Sequence, residues 1–103
     1  MRIGVIADTH GLLRPEAVRA LRGVDLIVHA GDVGAPEVLS GLRAIARVVA
    51  VRGNNDHGAW AERLPERATL TVAGIRLLVV HDRAEVAPAD LGPIDVLVTG
   101  HSH

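Results

Sequence analysis

Short apolar runs separated by polar, glycine-containing stretches set the plan of this chain. Arg2 to Ala7 is a β-branched apolar run and predicts a first strand. Pro15-Glu16 then opens a helical segment reaching to about Arg22. Proline suits the first helical position, glutamate the positive end of the helix dipole, and Gly23 a stop. Leu26 to Ala30 predicts a second strand, Pro36-Glu37 opens a second helix to about Ala46, and Val48 to Val51 predicts a third strand. Two successive βαβ units imply a parallel sheet with right-handed crossovers. The pattern then changes. Ala59 to Leu64 reads as a short helix closed by Pro65. Thr69 to Val72 and Ile75 to Val80, joined by Ala73-Gly74, read as a hairpin. Asp82 to Leu91 is polar and irregular, a loop or weak helix, and Ile94 to Val98 is the last predicted strand.

Composition narrows the picture. The 103 residues are enough for one domain, spanning 1–103, and not for two. Hydrophobic residues make up 49%, too many for a disordered tail. The 11 basic and 12 acidic residues leave a net charge of -1, which argues against a nucleic-acid-binding surface and a basic membrane-binding face. Trp60 is the one aromatic residue, so there is no base-stacking platform. With no cysteine there is no disulfide framework, thiolate metal site or cysteine nucleophile. Every cation is arginine, so no lysine is at hand for a Schiff base or a P-loop. The apolar runs are far too short to span a membrane, and the stretch after Met1 is too short for a signal peptide. A cytoplasmic protein is the expectation. A core of Val, Ala, Leu and Ile in so small a domain points to modest stability.

The chemistry-bearing residues follow the strands. Asp8-Thr9-His10 follows the first, Gly31-Asp32 the second, and Gly53-Asn54-Asn55-Asp56-His57 the third. His81-Asp82 follows the hairpin, and Gly100-His101-Ser102-His103 the last strand. In open α/β sheets the carboxyl ends of the strands line the ligand crevice, so these residues can converge. Asp8 and His10 are two apart, which in extended backbone puts both on one side, and His101 and His103 share that spacing. Mixed oxygen and nitrogen donors without sulfur favour Mn, Fe, Ni or Zn over Ca, and there are enough of them for two ions. A two-metal site activates water directly and needs no side-chain nucleophile.

Taken in order, Asp8-x-His10, Gly31-Asp32, Gly53-Asn54-Asn55-Asp56, His81 and Gly100-His101-Ser102-His103 resemble the motifs of the calcineurin-like metallophosphoesterase superfamily. The compact spacing resembles its small YfcE-type phosphodiesterase branch. The resemblance implies an αββα sandwich and a metal-dependent phosphodiesterase acting on small phosphoester substrates. It implies two divalent ions, Mn first and Ni, Fe or Zn as alternatives. Asp8, His10 and His103 would bind one ion, Asn54, His81 and His101 the other, and Asp32 would bridge them. A bridging hydroxide would attack phosphorus in line.

Two departures qualify that expectation. Many relatives carry histidine where this chain has Asn55, which can donate a hydrogen bond to a phosphoryl oxygen but not a proton. His57, two residues on, is the candidate to compensate. The family also continues past Gly-His-x-His with further strands, so the chain reads as C-terminally truncated. An apolar face left bare by their absence would invite a homo-oligomer. The alternative reading is a non-catalytic scaffold or an inactive truncated member of the same fold. A dinucleotide-binding domain is disfavoured, because Asp8-Thr9-His10-Gly11 sets a carboxylate where a pyrophosphate would sit. His29 reads as structural, Asp56 as closing its own turn, Asp82 as a solvated acid, and Arg14, Arg52 and Arg83 as surface residues near the strand ends.

Overall fold

Each predicted strand forms, within one to two residues of its apolar run. In the computed structural model, which describes residues 1–100, β1 (Ile3–Ile6), β2 (Leu26–His29) and β3 (Arg47–Ala50) make one sheet in that order. Both pairings are parallel, with Ile3 opposite Leu26 and Leu26 opposite Arg47. β4 (Arg67–Val72), β5 (Ile75–Val80) and β6 (Val96–Thr99) make a second sheet. β4 and β5 are the predicted antiparallel hairpin, and β6 returns parallel to β5 with Leu77 opposite Val96.

Two proline-opened helices connect the first sheet, α1 (Pro15–Ala20) and α2 (Pro36–Arg43). Both stop short of their predicted ends. After α1 the Leu21 N–H still reaches Ala17, and the chain then turns at Gly23 with φ +84°. After α2 the Ile45 N–H bonds Leu42, a tightened turn that delivers Arg47 directly into β3. The short helix α3 (Ala59–Glu62) follows β3. The segment expected to be a loop between β5 and β6 forms two 3-10 turns, Arg83–Glu85 and Pro88–Leu91.

The layers follow from which faces are apolar. Between the sheets lie Leu26, Val28 and Ala30 of the β2 run, Val51 just past β3, Leu77 and Val79 of β5, and Val98 of β6. Ala68, Leu70 and Val72 of β4 pack against them from alternate positions. The other face of the first sheet carries Ile27 against Leu21, Val38, Leu39 and Leu42 from the helical side. β2 is therefore buried on both faces, as a central parallel strand should be. On the outer face of the second sheet Arg67 bonds the Glu85 carbonyl and lies 3.5 Å from Asp90, which ties the 3-10 crossover to β4. The architecture is the expected α/β sandwich with a parallel start. Among the described residues its outermost layer on the second sheet is this crossover rather than an α-helix. No helix among the described residues is long and apolar enough to cross a membrane.

The hairpin turn carries a correctable strain. Ala73 and Gly74 have φ +50° and +82°, the pairing of a two-residue hairpin turn that favours Asn-Gly. A side chain other than Asn or Asp in that region costs about 1–2 kcal/mol. Ala73→Asn should stabilise the fold by about 0.5–1 kcal/mol, read as a raised urea midpoint at unchanged slope.

Candidate metal centre

Pairing between β1 and β2 does not end with the strands. The Asp8 N–H bonds Gly31 O at 3.0 Å, His10 N–H bonds Asp32 O at 3.0 Å, and Gly11 N–H bonds Val33 O at 2.7 Å. This ladder lays the Asp8–His10 loop along the Asp32 loop. Asp8, His10 and Asp32 all sit in the left-handed region, at φ +56°, +48° and +56°. The expected extended backbone across Asp8 and His10 is therefore absent, and tight turns bring the side chains together instead. Strain of this kind concentrates where a surrounding structure must aim a side chain.

Three side chains converge. One ligand atom each from Asp8, Asp32 and His81 lies within 4.8 Å of the others. His81 Nε2 is 3.3 Å from Asp32 Oδ2 and 4.0 Å from Asp8 Oδ1, and His10 Nε2 is 4.0 Å from Asp32 Oδ2. Asp32 and His81 are buried, whereas the His10 side chain is half exposed. His81 arrives from the second sheet, and Gly100 N–H bonds its carbonyl at 3.0 Å, so the cluster sits where the carboxyl ends of both sheets meet. Gly31 makes room for it, because a Cβ there would stand 2.7 Å from His81 Nδ1 at a φ of +99°.

The donor set fits a metal ion. His81 Nδ1 is 2.7 Å from the Ala30 carbonyl, which can only accept, so Nδ1 carries the proton. Nε2, the other ring nitrogen, then faces the carboxylate oxygens of Asp32 and Asp8. Histidine ligands commonly donate their second nitrogen to a carbonyl in this way. Two carboxylates and an imidazole suit a first-row divalent ion.

Asp32 is held from the third loop. Asn55 donates to it twice, backbone N–H to Oδ1 and side-chain amide to Oδ2, each at 2.9 Å. Burial pushes the Asp32 carboxyl up, but the two Asn55 hydrogen bonds, with His81 and His10 nearby, outweigh it and hold the group below its usual range. The amide expected to face a phosphoryl oxygen is thus engaged by the nearest acceptor, Asp32. Gly53 packs so closely on Asp32 that a Cβ would collide with Oδ1.

Asp56 was expected only to close its own turn. It does so through Gly53 N–H at 2.9 Å, and it also accepts from Val33 N–H at 3.2 Å and Gly34 N–H at 2.9 Å. This buried carboxylate clamps the Asp32 loop to the Asn54–Asn55 loop. Its distance from Val33 in sequence left no local signal; the only hint is an acid three residues after Gly53. Asn54 is exposed and lines an open cavity of about 400 Å³ with Arg52, His57 and Glu62. His57 is exposed on the wall of that cavity, which neither Asp32 nor His81 lines. Arg52 is drawn to Glu66 at 2.9 Å. His101 and His103 lie outside the described residues.

His29 is fully buried beneath the loops, and burial lowers its pKa from 6.5 to about 4 against the pull of Asp56, Asp8 and Asp32, with His81 adding to the lowering. The unfolded ring takes a proton near 6.5 while the folded one stays neutral to about 4. Between those values the unfolded chain binds more protons, so stability falls as pH is lowered across that window, by about 3 kcal/mol in all. Urea midpoints of the metal-free protein at pH 7 and 4.5 should show this loss, and His29→Gln should remove that part of it. Asp56→Ala leaves two buried N–H donors and one partly buried donor without their acceptor and should cost about 3 kcal/mol or more, read as a fall in the same midpoint.

These features define a buried carboxylate–histidine cluster at the strand ends of a two-sheet α/β sandwich. Over residues 1–103 the chain matches the calcineurin-like phosphoesterase superfamily domain, and it belongs to that family. A probable metallophosphoesterase of Methanocaldococcus jannaschii is 39% identical over 117 aligned positions, which take in all of this chain and 59% of that protein. The structure of an archaeal phosphodiesterase superposes with a TM-score of 0.84 at 23% identity, covering 100% of this chain and 74% of the other. The YfcE phosphoesterase of E. coli gives 0.70 at 28% identity, covering 98% and 69%. The chain thus spans well under two thirds of the M. jannaschii protein and about two thirds or more of the two solved structures.

Proposed function

We propose that the protein is a metal-dependent phosphoesterase that hydrolyses small phosphodiesters. The observation that carries the reading is the convergence of Asp8, Asp32 and His81 within 4.8 Å, with His81 Nε2 facing both carboxylates. In this reading Asp8, His10 and Asp32 hold one divalent ion, and Asp32, His81 and Asn54 hold a second. His103 and His101 would complete the two sets by the family resemblance. Mn is the first candidate, with Ni, Fe and Zn as alternatives. Bound there, such ions polarise phosphoryl oxygens and lower the pKa of water.

The chain's own residues do the rest. Asp32 offers both carboxylate oxygens at the meeting point, and Asn55 fixes their plane through its two hydrogen bonds. The Ala30 carbonyl holds the His81 ring in its donor-ready tautomer. The cavity beside Asn54 gives one arm of a diester a place to lie, with Arg52 and His57 on its wall. Asn55 carries no proton to give a leaving group, so activated diesters with good leaving groups should react best.

The test uses bis(p-nitrophenyl) phosphate. The chain supplied with Mn should release nitrophenolate, chelator should abolish release, and readdition of Mn should restore it. Asp32→Asn should lower the rate by about 10³-fold or more, since it weakens the ligand shared by both ions. A folded, Mn-supplied sample with no turnover would contradict the reading.

A further inference from the structure

His29 is the one buried histidine that the metal-binding reading leaves without a task. It is fully enclosed, yet both ring nitrogens are engaged. Gly31 N–H lies 3.1 Å from Nδ1, and an amide can only donate, so Nδ1 accepts. Thr9 Oγ1 lies 3.0 Å from Nε2 and 2.8 Å from the Val33 carbonyl. That carbonyl can only accept, so the single hydroxyl proton goes to it, and Oγ1 is left to accept from Nε2–H. The result is a one-way chain from Gly31 N–H to His29, from His29 to Thr9, and from Thr9 to Val33 O. Only one tautomer satisfies every link.

The ends of this chain are informative. Thr9 stands between Asp8 and His10, while Gly31 and Val33 stand on either side of Asp32. Each of these hydrogen-bond partners, Thr9, Gly31 and Val33, is thus a chain neighbour of a carboxylate or imidazole of the cluster. The backbone ladder already holds the two loops edge to edge. The His29 chain adds a buried tie from beneath, and the loops it ties are those held at positive φ.

We propose that His29 is a positioning residue of the metal centre: its neutral ring joins Thr9 to Gly31 so that Asp8 and Asp32 keep the separation at which they share an ion. The proposal rests on the phosphoesterase reading only in needing a metal to be bound. The ring nitrogens of His29 bond Thr9 and Gly31, so the residue would act through the spacing of the two loops.

Calorimetric titration of chelator-stripped protein with Mn tests it, on wild type and on His29→Asn, Thr9→Val and Thr9→Ser. His29→Asn keeps an acceptor near Gly31 N–H but is too short for Thr9. Thr9→Val matches the shape of threonine and loses both hydrogen bonds, whereas Thr9→Ser keeps the hydroxyl. Each variant is melted first, so that affinity is compared only among folded chains. The proposal expects His29→Asn and Thr9→Val to weaken Mn binding by about 10–100-fold, the range for partners that orient ligands, and Thr9→Ser to restore wild-type affinity. Should His29→Asn fail to fold, the two Thr9 variants decide. Nitrogen-15 spectra of the wild-type ring give a variant-free reading, with Nε2 protonated and Nδ1 bare. Folded Thr9→Val that binds Mn as wild type does, or a ring protonated at Nδ1, overturns the proposal and leaves the phosphoesterase reading intact. Wild type that binds no Mn overturns both.

Discussion

A carboxylate with no exposed surface, Asp32, is the constraint around which this molecule is arranged. Burying a charge is costly unless hydrogen bonds and opposite charge surround it. Asn55 supplies two hydrogen bonds and the His81 ring lies 3.3 Å away. Asp8 adds a second carboxylate within reach of the same ring, at 4.0 Å. A structure serving stability alone would not gather two acids around one buried histidine. A divalent ion would turn that liability into a binding site.

The sandwich supplies what the site needs. β2 is covered on both faces, so the chain leaving it toward Asp32 starts from a fixed point. β1 feeds Asp8 and His10 alongside through continued backbone pairing, and β5 brings His81 across from the other sheet. Asp56 and Asn55 then lock the third loop to the second from two directions. The strained turns at Asp8, His10 and Asp32 are tolerated because packing beneath and hydrogen bonding around them leave no alternative path.

Much of the scaffold was legible in the order of residues. The βαβαβ start follows from β-branched runs and two Pro-Glu helix openings, and the hairpin from Ala73-Gly74. Element ends were less legible, since α2 stops where β3 must begin, a matter of tertiary closure rather than propensity. Within the site, Asp8, Asp32 and His81 stood out as chemistry-bearing residues just past strands, and the structure brings them together. Their left-handed backbone was not legible, because isolated Asp and His carry no such requirement. Nor were the cross-loop roles of Asn55 and Asp56, whose partners on the Asp32 loop lie more than 20 residues away and meet them only when the loops fold over one another. His29 was read as structural and is buried, but its link to Thr9 depends on the same closure.

Family membership and the cluster point the same way, toward an ion held between the two sheets. The most direct measurement is anomalous diffraction at the Mn edge from crystals grown with Mn. The account predicts a peak within bonding distance of Asp8, Asp32 and His81 together. Crystals with no peak there, or with Mn only on surface acids, would contradict it.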